Sequence, residues 1–235
     1  MTRPNKTLAY IIAALSLMLP SAAMAQREYS PNFAIGAKAG ATLSRMEFSP
    51  SVHQKMVQGY TMGITARYTE EKIFGLIGEI NITQRGWMED FVRDEAPQFS
   101  YKRQLTYIQI PLLTHIYFGS DKIKGFFNLG PEVGYMIGEK TTANFDYMNY
   151  SDIPNFPAGY RTNEQLRMGV QNKFDYGIAG GAGVEFTIKR KHSFLLEGRY
   201  YFGLGNIFKA TKRDYFSASR GTSIEITLAY MIRLR

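Results

Sequence analysis

The stretch SIEITLAYMIRLR, residues 223–235, decides the fold because apolar and polar side chains alternate along it. In an extended strand, successive side chains point to opposite faces of the sheet. One face receives large apolar or aromatic residues, namely Ile224, Ile226, Leu228, Tyr230, Ile232 and Leu234. The other face receives Glu225, Thr227, Ala229, Met231 and Arg233. This period of two predicts a β-strand with one apolar face and one mixed, largely polar face.

The same alternation recurs along the chain and predicts eight strands. They cover residues 33–45, 58–69, 72–86, 101–118, 123–138, 173–188, 192–203 and 222–235. The connections alternate in length: 69–72, 119–122 and 189–192 are short, and the longest connection runs from 138 to 172. Short turns at one end and long loops at the other are typical of an antiparallel up-and-down barrel in an outer membrane.

Volume decides which face of the predicted barrel points outward. An eight-stranded barrel has room inside only for modest side chains, so the bulky apolar faces do not fit there. In the segment KFDYGIAGGAGVEF, 173–186, the opposite face is small and polar: Asp175, Gly177, Ala179, Gly181, Gly183 and Glu185. We therefore expect an all-β, closed, eight-stranded transmembrane barrel with apolar side chains toward lipid. A soluble calycin-like barrel would reverse the faces with the same alternation, whereas a two-sheet sandwich does not predict the alternating loop lengths.

The first residues of the chain have the layout of a secretory signal peptide. Residues 1–25 carry Arg3 and Lys6, then an apolar stretch, then the small-residue ending Ala23-Met24-Ala25. We expect residues 26–235 to form the barrel domain. The chain has no cysteine, which excludes disulfides, thiolate metal ligands and cysteine nucleophiles. The formal charge of +8 is spread without a long basic cluster. This distribution and the expected export both argue against nucleic acid as a partner.

Several segments together resemble the PorT-like outer-membrane β-barrel family of Bacteroidetes-type bacteria. They are FAIGAKAGATLSRM (33–46), GEINITQRG (78–86), YIQIPLLTHIYF (107–118), GFFNLGPEVGYMIG (125–138), AGGAGVEF (179–186) and LEGRYYFGLGNIF (196–208). The shared features are diffuse glycine and aromatic positions. The resemblance implies a barrel in the outer membrane and, through the family's namesake, a link to type IX protein secretion.

The predicted register assigns a set of charged side chains to the lumen. They are Lys38, Arg67, Glu79, Arg85, Glu132, Asp175, Glu185, Glu197, Arg199, Glu225 and Arg233. Charges in so narrow a space must be paired, so we expect a salt-bridged plug that holds the wall and blocks flow. A narrow ion path is the functional alternative. Pro111 and Pro131 cannot donate to a ladder, and we expect each to lie at a bulge or break.

A second predicted set is an interfacial aromatic girdle near the strand ends. It comprises Trp87, Phe91, Phe174, Tyr200 and Phe202.

The sequence contains no signature of catalysis, of a cofactor or of a metal site. His53, His115 and His192 lie in separate segments without metal-ligand spacing. The glycine run 177–183 lacks the spacing of a phosphate-binding loop. A serine hydrolase on the outer rim would need His53 to approach a serine across the loops, with Ser44, Ser51 and Ser217 as the nearest candidates. We therefore expect no enzyme, no catalytic residues, no cofactor and no metal.

The loop TTANFDYMNYSDIPNFPAGYRTNEQLRM, 141–168, is rich in aromatic and amide side chains. Such residues build recognition surfaces, although a self-packed cap over the barrel mouth would use the same material. The expected function is a non-enzymatic envelope component that contacts outer-membrane lipid and engages envelope or secretion-system proteins. A small ion or solute channel and a rim enzyme are the alternatives.

Overall fold

A computed structural model describes residues 32–70, 73–157 and 162–234. The predicted signal peptide, residues 1–25, lies outside the described residues. The strands are β1 (Asn32–Ser49), β2 (Gln54–Lys55), β3 (Val57–Thr69), β4 (Phe74–Glu89), β5 (Tyr101–Gly119), β6 (Ile123–Ala143), β7 (Phe174–Ile188), β8 (His192–Asn206) and β9 (Ala218–Arg233). A 3₁₀ turn (Tyr150–Asp152) and the one-turn helix α1 (Glu164–Arg167) lie in the longest loop. No helix in the described ranges is long and apolar enough to cross a membrane.

The sheet closes on itself. Each long strand pairs antiparallel with the next, and β1 pairs with β9 from Ala34↔Arg233 to Ser49↔Ala218. The two-residue β2 pairs only with the end of β4, so eight strands form the wall. Closure leaves no open sheet edge, which is the condition for a sheet to exist in lipid, where no water satisfies unpaired backbone groups. The predicted closed eight-stranded antiparallel barrel is confirmed.

The apolar faces of the strands point outward. On β9, Ile226 and Leu228 are 58% and 59% exposed, whereas Glu225 and Thr227 beside them are buried. The same alternation holds around the wall, with large exposed side chains such as Ile64 and Leu129. So extensive an apolar surface would be an aggregation hazard in water, and it matches a hydrocarbon environment instead. The arrangement opposes the one required of a soluble calycin-like barrel.

Short turns lie at one end of the barrel and long loops at the other. The connections 70–73, 120–122 and 189–191 between the strands are short, and the connections 50–56, 90–100, 144–173 and 207–217 are long. In the turn after β7, Lys189 and Arg190 have φ of 52° and 55°, and the Lys191 N–H donates to the Ile188 carbonyl. Two consecutive left-handed residues are the type I′ geometry that matches strand twist in tight hairpins.

The two prolines lie at a break in the sheet pairing, one of the two outcomes expected for them, and no bulge is found there. The β5–β6 pairs stop at Pro111↔Glu132 and resume at Thr114↔Leu129, and the β4–β5 pairs stop at Gly78↔Leu112 and resume at Asn81↔Gln109. The pairing Pro111↔Glu132 keeps the register that holds at Thr114↔Leu129, and the irregularity between β5 and β6 falls at Thr106/Tyr107 instead. A proline removes one N–H, and here the strand tolerates that loss without changing register. The inward assignment of Glu132 is therefore undisturbed, and its carboxylate is buried.

The structure corrects part of the predicted girdle. Phe174, Tyr200 and Phe202 point outward and are 56%, 48% and 40% exposed, but Trp87 and Phe91 are buried. Trp87 lies two residues after the lumen-facing Arg85 and therefore shares its inward direction. Phe91 follows β4 in a loop that folds back over the barrel, so neither ring is at the lipid surface.

Candidate functional site in the lumen and the outer cap

The alternation of eight strands places the predicted charges on the inner wall. Ten of the eleven are buried: Lys38, Arg67, Glu79, Arg85, Glu132, Asp175, Glu185, Glu197, Arg199 and Glu225. The exception is Arg233, which is half-buried near the end of β9 and makes no ion pair with a described residue. Position along the strand explains this difference, because Arg233 lies at the short-turn rim rather than within the lumen.

One cluster of buried charges is centred on Glu79. Its carboxylate accepts from Lys38 Nζ at 2.6 Å and from both terminal nitrogens of Arg199 at 2.8 and 2.9 Å. Arg199 Nη2 also donates to Glu197 at 2.9 Å. The Asn128 amide then donates to the other oxygen of Glu197 at 2.8 Å. Bidentate, charge-assisted bonds of this kind are the strong ones and fix geometry as well as charge.

A second cluster lies nearer the short-turn end. Arg67 donates two hydrogen bonds to Glu185, at 2.7 and 2.9 Å. His115 is fully buried beside this pair, with Nδ1 2.7 Å from the Asn128 amide oxygen and Nε2 3.5 Å from Arg67 Nη1. Asn128 therefore connects the two clusters, since its amide group reaches both His115 and Glu197.

The third cluster surrounds Arg85. Its guanidinium approaches Glu132 at 2.7 Å, Glu225 at 3.4 Å and Asp175 at 3.6 Å. The Tyr201 ring covers the face of the guanidinium, 3.7 Å from its carbon to the ring centroid, and the Tyr201 hydroxyl donates to Asp175 at 2.9 Å. The ring adds a cation–π contact that is strongest when water is excluded.

Space in the lumen is as limited as the volume argument predicts. A cavity lined by Lys38, Glu79 and Glu197 has a volume of about 10 Å³, which is about what a single water needs. Glycines relieve the crowding: a Cβ at Gly183 would lie 2.4 Å from the Phe126 ring and 2.3 Å from the Leu196 carbonyl oxygen. At this level the barrel is a packed interior.

An aromatic cap closes the end that carries the long loops. Its buried members come from the strand ends and from the loops: Met46, Phe48, Val52, Trp87, Phe91, Tyr101, Leu105, Tyr107, Met136, Leu166, Ile207, Phe208 and Phe216. Phe48 packs against the edge of Trp87 at 5.4 Å and against Phe216 at 5.2 Å. Edge and tilted contacts at these distances are favourable beyond the area they bury.

The longest loop, 144–173, is anchored into this cap by α1. Leu166 is buried, and its carbonyl accepts from the Tyr101 hydroxyl at 3.1 Å. Arg103 donates to the Met168 carbonyl at 2.6 Å. The fully buried Gln165 donates to the Glu89 carboxylate at 3.2 Å. Polar side chains at the barrel mouth thus satisfy the loop backbone where water is excluded.

The sequence reasoning missed the residues that hold the cap. Arg103 lies over the Trp87 ring at 5.3 Å and is paired with Glu139, and the Trp87 indole donates to Glu89 at 3.0 Å. The sequence feature that could have indicated these residues is the length of β4, β5 and β6, which is greater than a strand needs to cross lipid. The extended ends of these strands place an inner face at the long-loop end of the barrel, where loops cover it.

The outer rim carries one histidine–carboxylate pair. His53 Nδ1 lies 2.6 Å from Asp94 Oδ1, and Lys55 pairs with Asp90 at 2.9 Å. Two of the candidate serines have other hydrogen-bond partners: Ser44 accepts from the Gly86 N–H, and Ser217 donates to the Ser49 carbonyl. In the described segments, no serine hydroxyl is hydrogen-bonded to His53, and no group of acidic residues and histidines is arranged to hold a metal ion.

The fold and the lumen define a small outer-membrane barrel, and the comparison with known families agrees. Residues 24–209 match the model of the outer membrane protein beta-barrel domain. The chain belongs to this family and resides in the outer membrane. No curated protein matches the sequence significantly.

Several solved structures are similar to this chain. OprG from Pseudomonas aeruginosa is 13% identical, with 86% of this chain and 93% of that chain covered and a TM-score of 0.46. A major outer membrane protein from Thermus thermophilus is 12% identical, covering 88% and 100%, with a TM-score of 0.45. Neisserial surface protein A is 13% identical, covering 85% and 96%, with a TM-score of 0.43.

Proposed function

We propose that this protein is a sealed, non-enzymatic outer-membrane barrel that engages a partner protein through its outer cap. The observation that carries the proposal is the anchoring of loop 144–173 by buried Leu166 and Gln165 above a lumen filled with paired charges. A loop ordered before binding loses less conformational entropy when a partner docks. In outer-membrane barrels the long loops face the cell exterior, which places the cap on the outer surface.

The exposed tip of the cap has the composition of a contact surface. Met148 and Tyr215 are 55% and 50% exposed on loops of the long-loop end. The Asp146 carboxylate fixes the tip by accepting from the Met148 N–H at 3.0 Å and the Asn149 amide at 2.8 Å. The Asn149 and Met148 hydrogen bonds hold the pKa of Asp146 below its usual range, so the carboxylate is ionised at neutral pH.

The lumen argues for a sealed barrel over a channel. The buried guanidinium groups of Arg67, Arg85 and Arg199 each bridge to carboxylates on other strands. Removing water from such charges is tolerated only when they are paired, and a pair that bridges the lumen also fills it. A conducting path would require these bridges to open together. An enzyme on the outer rim has less support than a channel, because no described serine hydroxyl is hydrogen-bonded to the His53 ring.

The resemblance to PorT-like barrels supports placing the partner in a protein-secretion or envelope-maintenance assembly. A deletion strain tests this link directly, with exported protein and envelope permeability as the readouts. Loss of secretion that is restored by the wild-type gene supports the secretion link. Unchanged secretion with altered permeability would instead favour an envelope-maintenance role.

Site-specific photocrosslinking tests the cap. A crosslinker at Met148 or Tyr215 is expected to capture the same envelope protein, identified by mass spectrometry and recovered by the reciprocal experiment. A crosslinker at the lipid-facing Leu129, which is 61% exposed, is the matched control. Absence of a common protein at both cap positions, or capture of the same protein at Leu129, would contradict the proposal.

A further inference from the structure

The short-turn end of the barrel carries a cleft between two neighbouring turns. It has a volume of about 480 Å³ and is lined by Asp121, Lys122, Thr187, Ile188, Lys189 and Arg190. The Thr187 N–H donates to the Lys122 carbonyl at 2.8 Å, which joins the two turns across the β6–β7 boundary. This hydrogen bond holds the backbones of the two turns side by side, so the cleft lies between two joined turns.

The cleft has an excess of positive charge. Lys122, Lys189 and Arg190 face a single acid, Asp121. Arg190 Nη2 lies 3.6 Å from Asp121, but both side chains are more than four-fifths exposed, so water screens this pair. The guanidinium is therefore available to an anion, and the two lysines have no ion-pair partner among the described residues.

The wall of the cleft continues into the lipid-facing surface. Ile188 lines the cleft and is 52% exposed. Ile123, next to Lys122, is 54% exposed, and Phe186, two residues before Ile188 on the same outward face, is 47% exposed. In outer-membrane barrels the short turns face the periplasm. The cations are thus placed at headgroup depth in the inner leaflet, directly beside an apolar surface suited to acyl chains.

We propose that this cleft binds the phosphate of an anionic phospholipid of the inner leaflet. Lys122, Lys189 and Arg190 contact the phosphate oxygens, and an acyl chain lies along Ile188 and Ile123. A guanidinium and ammonium groups match phosphate by charge and hydrogen bonding. An acidic polypeptide would satisfy the charge but leaves the apolar wall unused. The lipid satisfies both, and basic pockets of this kind are a known means of headgroup recognition.

The test is lipid selectivity in a membrane. The protein is reconstituted into nanodiscs of phosphatidylcholine and phosphatidylglycerol with equal acyl chains, and bound lipids are counted by native mass spectrometry. The cleft variant combines Lys122→Gln, Lys189→Asn and Arg190→Asn, with asparagine chosen because it tolerates the left-handed backbone. The control variant, Lys209→Gln with Lys212→Gln and Arg213→Gln, removes the same charge from an exposed loop at the opposite end.

Wild-type protein is expected to retain phosphatidylglycerol over phosphatidylcholine. In the cleft variant, the ratio of bound phosphatidylglycerol to bound phosphatidylcholine should fall about fivefold for each cation removed. In the control variant this ratio should match that of wild type. Asp121→Asn should raise the preference, a gain that damaged folding does not produce. Equal loss in both triple variants, or no loss in either, would overturn the proposal.

Two further outcomes also overturn it. In the first, calorimetry shows that wild-type protein in phosphatidylcholine nanodiscs binds inorganic phosphate, while the wild-type protein shows no preference for phosphatidylglycerol. That result would assign the site to free phosphate. The second is unchanged lipid selectivity in the cleft variant together with loss of crosslinking to an acidic periplasmic protein.

Discussion

Arg199 and Glu79 are 120 positions apart in sequence, yet they form a bidentate ion pair across the lumen, with distances of 2.8 and 2.9 Å. Arg199 is on β8 and Glu79 on β4, so the pair joins opposite sides of the barrel. Lys38 on β1 binds the same carboxylate. A single acid thus connects three strands, none of which pairs with another of the three, and the ion pair acts as an internal strut for the wall.

Breaking this strut is expected to be costly. Glu79→Gln removes the charge that Arg199 and Lys38 share and should lower the free energy of unfolding by about 3–5 kcal/mol, the cost of leaving buried charge uncompensated. Unfolding in urea with the protein in lipid vesicles measures it. The control is Glu47→Gln, which breaks the exposed pair with Arg45 and should cost less than about 1 kcal/mol. Similar losses for both variants would contradict the strut.

The cap is expected to depend on one aromatic ring. Trp87→Ala removes a fully buried indole that contacts Phe48 and Glu89, so it should destabilise the cap by about 3–5 kcal/mol. Limited proteolysis should then cut within 144–173 while the barrel stays folded. Tyr215→Ala, which removes a half-exposed ring from the same end, should leave the cleavage rate near that of wild type.

Crowding in the lumen predicts that alanine is tolerated at one glycine of the wall and not at another. Gly183→Ala places a Cβ 2.3 Å from the Leu196 carbonyl oxygen and should cost about 1–3 kcal/mol through overpacking. Gly198→Ala faces lipid and meets nothing within 4 Å, so it should be neutral or slightly stabilising. Urea midpoints of the two variants provide the comparison. Equal tolerance at both positions would show that the lumen is looser than described.

The rim contact between the first and second long loops should depend on pH. Burial opposes ionisation of Asp90, but the Lys55 hydrogen bond, the backbone hydrogen bonds from Arg93 and Val92 and the Lys55 charge together outweigh it and lower the pKa below the ordinary 3.8. Because the folded pKa is the lower one, the stabilisation is present above pH of about 4 and is lost as pH falls through the folded pKa. Hydrogen exchange in 50–56 should accelerate over that acidic range. Lys55→Gln should reduce the pH dependence, because the backbone hydrogen bonds to Asp90 remain, with little effect on the stability of the barrel.

The sequence predicts the wall of this protein better than its cap. Alternation assigns Glu79, Arg199 and the other predicted lumen charges to the inner face, because the side-chain period of a strand is independent of the final fold. Loop 144–173 has no period, and its contacts with Arg103 and Glu89 depend on how far β4 and β5 extend beyond the membrane. The prediction that Trp87 belongs to the girdle rests on its place near a strand end, although its parity with Arg85 already points inward.

The sequence also does not predict which charged side chains pair with each other in the lumen. The register places Arg85 on the inner wall, but its proximity to Glu132, Glu225 and Asp175 follows from the stagger of strands around the barrel. Stagger is set by hydrogen-bond register summed over eight interfaces, and a sequence pattern gives no value for that sum.

The proposal that the lumen is sealed is tested by recording current through planar bilayers that contain the purified protein, with a known porin as the positive control. The paired charges around Arg67, Arg85 and Arg199 predict no stable conductance steps at any voltage the bilayer tolerates. Stable and reproducible steps from the wild-type protein would show that the lumen conducts, because ions cannot pass a lumen in which these bridges remain closed.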